Sequence, residues 1–101
     1  LNFKEYEDAS KETDLDNGIT YYHMGLAEEC GEVMGIRKRM LRGEGSINYD
    51  KLRDEFGDVL WYLTRLAAKY NMSLDEIATR NIEKLQDRLA RGVIKGSGSN
   101  R

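Results

Sequence analysis

The apolar positions of this chain recur at helical spacing from one end to the other. Asn2 and Glu5 form the polar pair of a capping box around Phe3, Tyr6 and Ala9, which predicts a short first helix ending near Lys11 or Thr13. The polar stretch Asp14 to Gly18 then leads into a second helix, with Thr20 as its expected cap, Arg42 as its last residue and Gly43 as its stop. Leu26, Cys30, Val33, Ile36 and Met40 make the apolar stripe of that helix, so Cys30 reads as packed. Arg37, Lys38, Arg39 and Arg42 load its last turns with cations that suit the negative helix end. A short loop, Gly43-Glu44-Gly45-Ser46, makes the second and third helices an antiparallel hairpin. Asn48 is the expected cap of the third helix, where Leu52, Phe56, Val59, Leu63, Leu66 and Tyr70 alternate spacings of four and three, as in a bundle seam. Asn71 breaks the pattern, and Ser73 with Glu76 opens a fourth helix to about Arg91, with Ala78, Ile82, Leu85 and Leu89 as its expected core stripe. Gly92 stops it.

The third helix is apolar around most of its circumference, because Leu60, Trp61, Tyr62 and Ala67 flank the seam. Such a helix must be buried on several sides. Four short helices supply too little cover, so the pattern points to a homo-oligomer with no stable monomer. Apolar residues at 40% and charged residues at 34% fit a globular helical chain better than a disordered one. Residues 1–95 read as one all-α domain and residues 96–101 as a flexible Gly/Ser tail. The net charge of -2 argues against a broad basic surface and hence against stable nucleic-acid binding. A single cysteine forms no internal disulfide, and with a single histidine it builds no Cys/His zinc site. No apolar stretch approaches bilayer-spanning length and Leu1 to Ser10 lacks the pattern of a signal peptide, so a cytoplasmic location without membrane contact is expected.

Chemistry enters through a near-repeat: Glu28-Glu29-Cys30-Gly31-Glu32 and Asp54-Glu55-Phe56-Gly57-Asp58 both read acid-Glu-x-Gly-acid. On helices, Glu29 with Glu32 and Glu55 with Asp58 share a face, since residues three apart are surface neighbours. Packed together, the two turns aim four carboxylates at one point, an arrangement that needs a cation between them. An acidic helix face is ordinarily a solvated one, but the duplication reverses that expectation. Hard oxygen donors without histidine or cysteine suit Mg²⁺ or Mn²⁺ over zinc or copper, and the Glu-x-x-His motifs of di-iron bundles are missing. Interior glycines each cost about 0.8 to 1 kcal/mol relative to alanine. The expected return for Gly31, Gly35 and Gly57 is close helix approach at the acidic turns. On the fourth helix Asn81, Lys84 and Arg88 form an amide-and-cation stripe that suits phosphate. Cations, carboxylates and metal together serve phosphoryl transfer, with one carboxylate as general base. No P-loop and no convincing nucleophile triad accompany them.

Glu28-Glu29-x-x-Glu32 followed by Glu55-x-x-Asp58 resembles the signature of the MazG-like nucleoside triphosphate pyrophosphohydrolases. Gly25-Leu26-Ala27, Asp58-Val59-Leu60-Trp61-Tyr62-Leu63 and Asn81-Ile82-Glu83-Lys84-Leu85-Gln86-Asp87-Arg88 look familial too, so the resemblance spans roughly Thr20 to Arg101. It implies a four-helix-bundle-like all-α fold assembled as a homodimer or dimer of dimers. It further implies Mg²⁺-dependent hydrolysis of (deoxy)nucleoside triphosphates between the α and β phosphates, giving monophosphate and pyrophosphate, in nucleotide-pool house-cleaning. Carried over residue by residue, Glu29, Glu32, Glu55 and Asp58 would be metal ligands. Glu28, Glu29 and Glu32 would be the catalytic carboxylates, with Glu28 free to orient water. Tyr62 would reach the nucleotide, Asn81 and Lys84 the phosphates, and Arg88 would be a weaker member of that set. The ending Gly-Ser-Gly-Ser-Asn-Arg is similar to that of phage-type relatives, with Ser99 where they carry aspartate. The alternative from another class is a non-catalytic helical interaction module whose acidic patch binds a cation.

Overall fold

In the computed structural model, which describes residues 1–92, the chain forms four helices: α1 Phe3–Ser10, α2 Ile19–Leu41, α3 Tyr49–Lys69 and α4 Leu74–Ala90. A 3-10 turn, Lys11–Thr13, continues α1, and no strand occurs among the described residues. The Gly/Ser tail lies outside them.

Both capping boxes form. Asn2 Oδ1 accepts the Glu5 N–H at 2.8 Å while Glu5 takes the Asn2 N–H at 3.0 Å, and Ser73 and Glu76 exchange the same pair of bonds at α4. Asn48 caps α3 through the Lys51 N–H. The α2 start differs from expectation: the helix begins at Ile19 with Gly18 as N-cap and no capping side chain. Its first turn is held from inside the fold instead, where the buried Tyr22 hydroxyl accepts the Asn17 N–H at 2.9 Å. The stops follow the sequence closely. Gly43, at φ 81°, closes α2 with Gly43 N–H to Met40 C=O and Glu44 N–H to Arg39 C=O. Asn71, at φ 59°, does the same for α3 through Ala68 and Ala67. Both are Schellman endings, which is why a glycine and an asparagine punctuate the pattern there.

The α2 and α3 helices pack as an antiparallel hairpin, the largest helix contact in the molecule, while α1 packs against both α3 and α4. The core is small: Tyr22, Ile36, Leu66, Ala67 and Leu74 are its buried apolar residues. Several expected core positions lie outside it. Cys30 is exposed, Phe56 is 54% exposed, and Ile82 and Leu89 on α4 are 52% and 68% exposed. The physical reason on α4 is that it packs on α1 more than on the hairpin, so its buried residues are Leu74 and Arg88, with Ile77 and Leu85 half-buried. The stripe through Ile82 and Leu89 faces outward in the single chain. No helix among the described residues is long and apolar enough to cross a membrane.

Candidate metal centre

The antiparallel hairpin sets the middle of α2 against the first half of α3. Glu29 from α2 and Glu55 and Asp58 from α3 each offer a carboxylate oxygen there, all within 4.8 Å of one another. Glu29 and Glu55 are half-buried and Asp58 is exposed. Burial pushes the Glu29 carboxyl above the ordinary carboxylate range, and the charges of Asp58 and Glu55, a hydrogen bond with Glu55 and the charge of Glu28 push it the same way. Lys51 Nζ stands 3.8 Å from Glu55, but its side chain is 52% exposed and the pair is weak. The donor set is all oxygen, negative and open on one side, which fits a hard divalent ion retaining some of its water.

Of the expected ligands, the structure brings Glu29, Glu55 and Asp58 together and leaves Glu32 exposed outside that group. The glycine expectation is corrected. A Cβ at Gly31 or Gly57 would meet nothing within 4 Å, and at Gly35 only the Arg39 guanidinium, so these glycines do not bring the acidic turns together. The close approach occurs one turn earlier. A Cβ at Gly25 would fall on the Tyr62 ring, so glycine there is what lets that ring lie across the α2 backbone. Nothing in the single chain returns the helix cost of Gly31 and Gly35, whereas glycine at Gly25 is required by the Tyr62 ring.

Tyr62 and Gly25 line a cleft of about 400 Å³ with Tyr21, Met24 and Glu28, beside the carboxylates. The Tyr62 and Tyr21 hydroxyls lie 3.5 Å apart. That hydrogen bond, then burial, then the charges of Tyr21, Glu29 and Glu28 push the Tyr62 phenol up to about 12, so it stays protonated at neutral pH and can donate a hydrogen bond. Tyr21, which beside Tyr22 in the sequence suits a base pocket and an interface equally, lies in this cleft; Met24 is a site residue that carries no spacing signal. Tyr6 is another. It comes from α1 and lies near enough to α3 that, after burial, the Asp58 charge raises its phenol. Asn81 and Lys84 line a separate cleft of about 370 Å³ with Met72, Glu76, Ile77 and Arg80. Arg88, expected beside them at the phosphate, is buried at 5% exposure.

Residues 18–92 match the MazG nucleotide pyrophosphohydrolase domain. The chain belongs to the MazG family. It is also similar to the Gene 37 protein of Mycobacterium phage L5, 42% identical over 92 residues that span 87% of this chain and 81% of that protein. No solved structure matches the chain. The MazG match takes in α2, α3 and α4, with all three clustered carboxylates and both clefts described above, whereas α1 and the loop to Asn17 precede it. An all-helical MazG domain therefore accounts for the fold, and the acidic hairpin lies within it.

Proposed function

We propose that this protein is a Mg²⁺-dependent nucleoside triphosphate pyrophosphohydrolase, cleaving between the α and β phosphates to release monophosphate and pyrophosphate. The observation that carries the reading is the three-carboxylate cluster assembled across two helices from the two repeated motifs, without a strong internal counter-cation. Glu29, Glu55 and Asp58 would hold Mg²⁺, or Mn²⁺ in its place, and Glu32, one turn from Glu29 on the same helix, is the proposed fourth ligand. The ion supplies neutralisation of phosphate charge and polarisation of the reacting phosphoryl group.

The chain's own groups do the rest. Glu28, at the edge of the cleft beside the cluster, orients the attacking water and accepts its proton. The phosphoanhydride bond breaks as the new P–O bond forms, and pyrophosphate leaves. Tyr62, protonated at neutral pH, donates a hydrogen bond to the nucleotide in the cleft it shares with Tyr21. Asn81 and Lys84 take the phosphates, and Arg88 lies buried on the same helix. The exposed Phe56, Ile82 and Leu89 support self-association as a dimer or dimer of dimers. A house-cleaning role in the nucleotide pool follows from the activity.

Incubation with mixed deoxynucleoside triphosphates and Mg²⁺ tests the reading. Monophosphate with pyrophosphate is the expected product pair. Orthophosphate with diphosphate would show the wrong bond, and absence of metal-dependent turnover would favour a non-catalytic interaction module that binds a cation through its acidic patch.

A further inference from the structure

A second buried carboxylate lies in the segment ahead of the matched domain. Asp14 has a side chain only 5% exposed, and its oxygens meet an arginine, a phenol and a backbone N–H, with a lysine that Asp16 shares nearby. Its Oδ2 accepts Arg65 Nε at 2.8 Å, its Oδ1 accepts the Tyr22 hydroxyl and the Asp16 N–H, and Lys69 Nζ stands 3.7 Å away. Tyr22 belongs to α2 and Arg65 and Lys69 to α3. One carboxylate thus ties the loop before α2 to both arms of the acidic hairpin.

The ties continue outward. Arg65 Nη1 donates to the buried Ser10 Oγ at 3.3 Å, Ser10 Oγ donates to the Glu7 carbonyl at 2.7 Å, and the Glu7 carboxylate accepts the Leu74 N–H at 3.3 Å, at the start of α4. Trp61 Nε1 on α3 adds a bond to Thr13 Oγ1 at 2.8 Å. These contacts link the hairpin, through Ser10 and the backbone and side chain of Glu7 on α1, to the helix that carries Asn81 and Lys84. The α4 helix packs mainly on α1, so besides the short loop from α3 this path is its link to the hairpin that carries Glu29, Glu55 and Asp58.

We infer that Asp14 is a positioning residue: by locking the segment before α2 onto the hairpin, it fixes through α1 where α4 presents its phosphate-binding side chains to the metal centre. The inference rests on the proposed function for the role of Asn81 and Lys84, but its geometric half does not. Asp14 touches neither metal nor nucleotide. Its loss should leave the carboxylate cluster intact and blur the position of α4. Small displacements of a positioned group cost up to about a hundredfold in rate.

The test uses the full chain with spin labels at two exposed sites, Lys38→Cys on α2 and Thr79→Cys on α4, in a Cys30→Ser background diluted with unlabelled chain. Asp14→Asn should broaden the distance distribution between the labels. In unlabelled protein the same change should raise KM at least about tenfold and leave Mn²⁺ affinity unchanged. Should Asp14→Asn fail to fold, Ser10→Ala, which cuts the path between Arg65 and Glu7, serves with the same readouts. An unchanged distance distribution, or a broadened one with unchanged KM, overturns the inference. A wild-type chain with no turnover overturns the pyrophosphohydrolase reading instead, and the distance measurement then decides the role of Asp14 alone.

Discussion

Two carboxylate centres lie against the same helix hairpin and are built on opposite principles. Around Asp14 the chain supplies an arginine, a lysine, a phenol and a backbone N–H, and the carboxylate is closed off and satisfied. Around Glu29 it supplies two more carboxylates. The difference appears in the acids themselves. Burial pushes Asp14 upward, yet the Tyr22, Arg65 and Asp16 hydrogen bonds with the Lys69 charge outweigh it and hold the group at about 2. At Glu29 burial and neighbouring charges push the same way, upward. A carboxylate whose partners are internal is architecture, whereas one left among its own kind is, on the proposed function, where a cation from outside would bind.

The contrast breaks most directly at Arg65. Arg65→Met would leave Asp14 buried without its closest cation, a loss of about 3 to 5 kcal/mol from a total stability of about 5 to 15 kcal/mol. Urea denaturation of the metal-free protein measures it. A loss below about 1 kcal/mol, the range of surface pairs, would make the Asp14 centre no more than a surface contact. Next in size is Asp58→Asn, which should cut turnover by about a hundredfold or more while leaving the urea midpoint in EDTA unchanged or higher. Near-normal turnover would move the metal centre elsewhere.

The pH dependence separates the two centres again. Asp14 titrates lower in the folded chain than its ordinary 3.8, so its stabilisation is complete above that ordinary value and fades as pH falls toward 2. The linked free energy is about 2 kcal/mol. Denaturation at pH 5 and pH 3 should therefore show wild type losing more stability than Asp14→Asn. Parallel losses in the two proteins would remove Asp14 from the acid response.

How much of this was legible in the sequence follows from range. Capping boxes at Asn2 and Ser73, the cap at Asn48 and the stops at Gly43, Asn71 and Gly92 depend on residues a few positions apart, and all are where the pattern put them. The repeated acidic motif was legible for a related reason, because helical spacing and a short hairpin loop bring Glu29 to Glu55 and Asp58. Helix faces were harder to read. The periodicity of α4 shows an apolar stripe but not what covers it, and in the single chain α1 takes a different face. The Asp14 centre was beyond the sequence, since aspartate in a turn-prone stretch is an ordinary turn former and Arg65 lies far along the chain. The sequence offered no physical reason to single out Gly25 among the helix glycines, and only the Tyr62 ring sets it apart from Gly31.

The smallest effect is the sharpest for the open centre. Glu29 binds its proton more tightly in the folded chain than in the unfolded one, first through burial and then through Asp58 and Glu55. Its contribution to stability is therefore present at low pH and lost as pH rises through its raised value, so at neutral pH without metal its charge works against the fold. Glu29→Gln keeps the shape and removes the charge. It should raise the Tm in EDTA at pH 7, by less than Arg65→Met lowers it, because both Glu29 and its neighbours are partly solvated. Mg²⁺ should then raise the Tm of wild type and raise that of the variant less, since a divalent ion relieves a repulsion that the variant has already reduced. A lower Tm for Glu29→Gln in EDTA would mean that Glu29 is satisfied within the chain, as Asp14 is, and the distinction between the two centres would collapse.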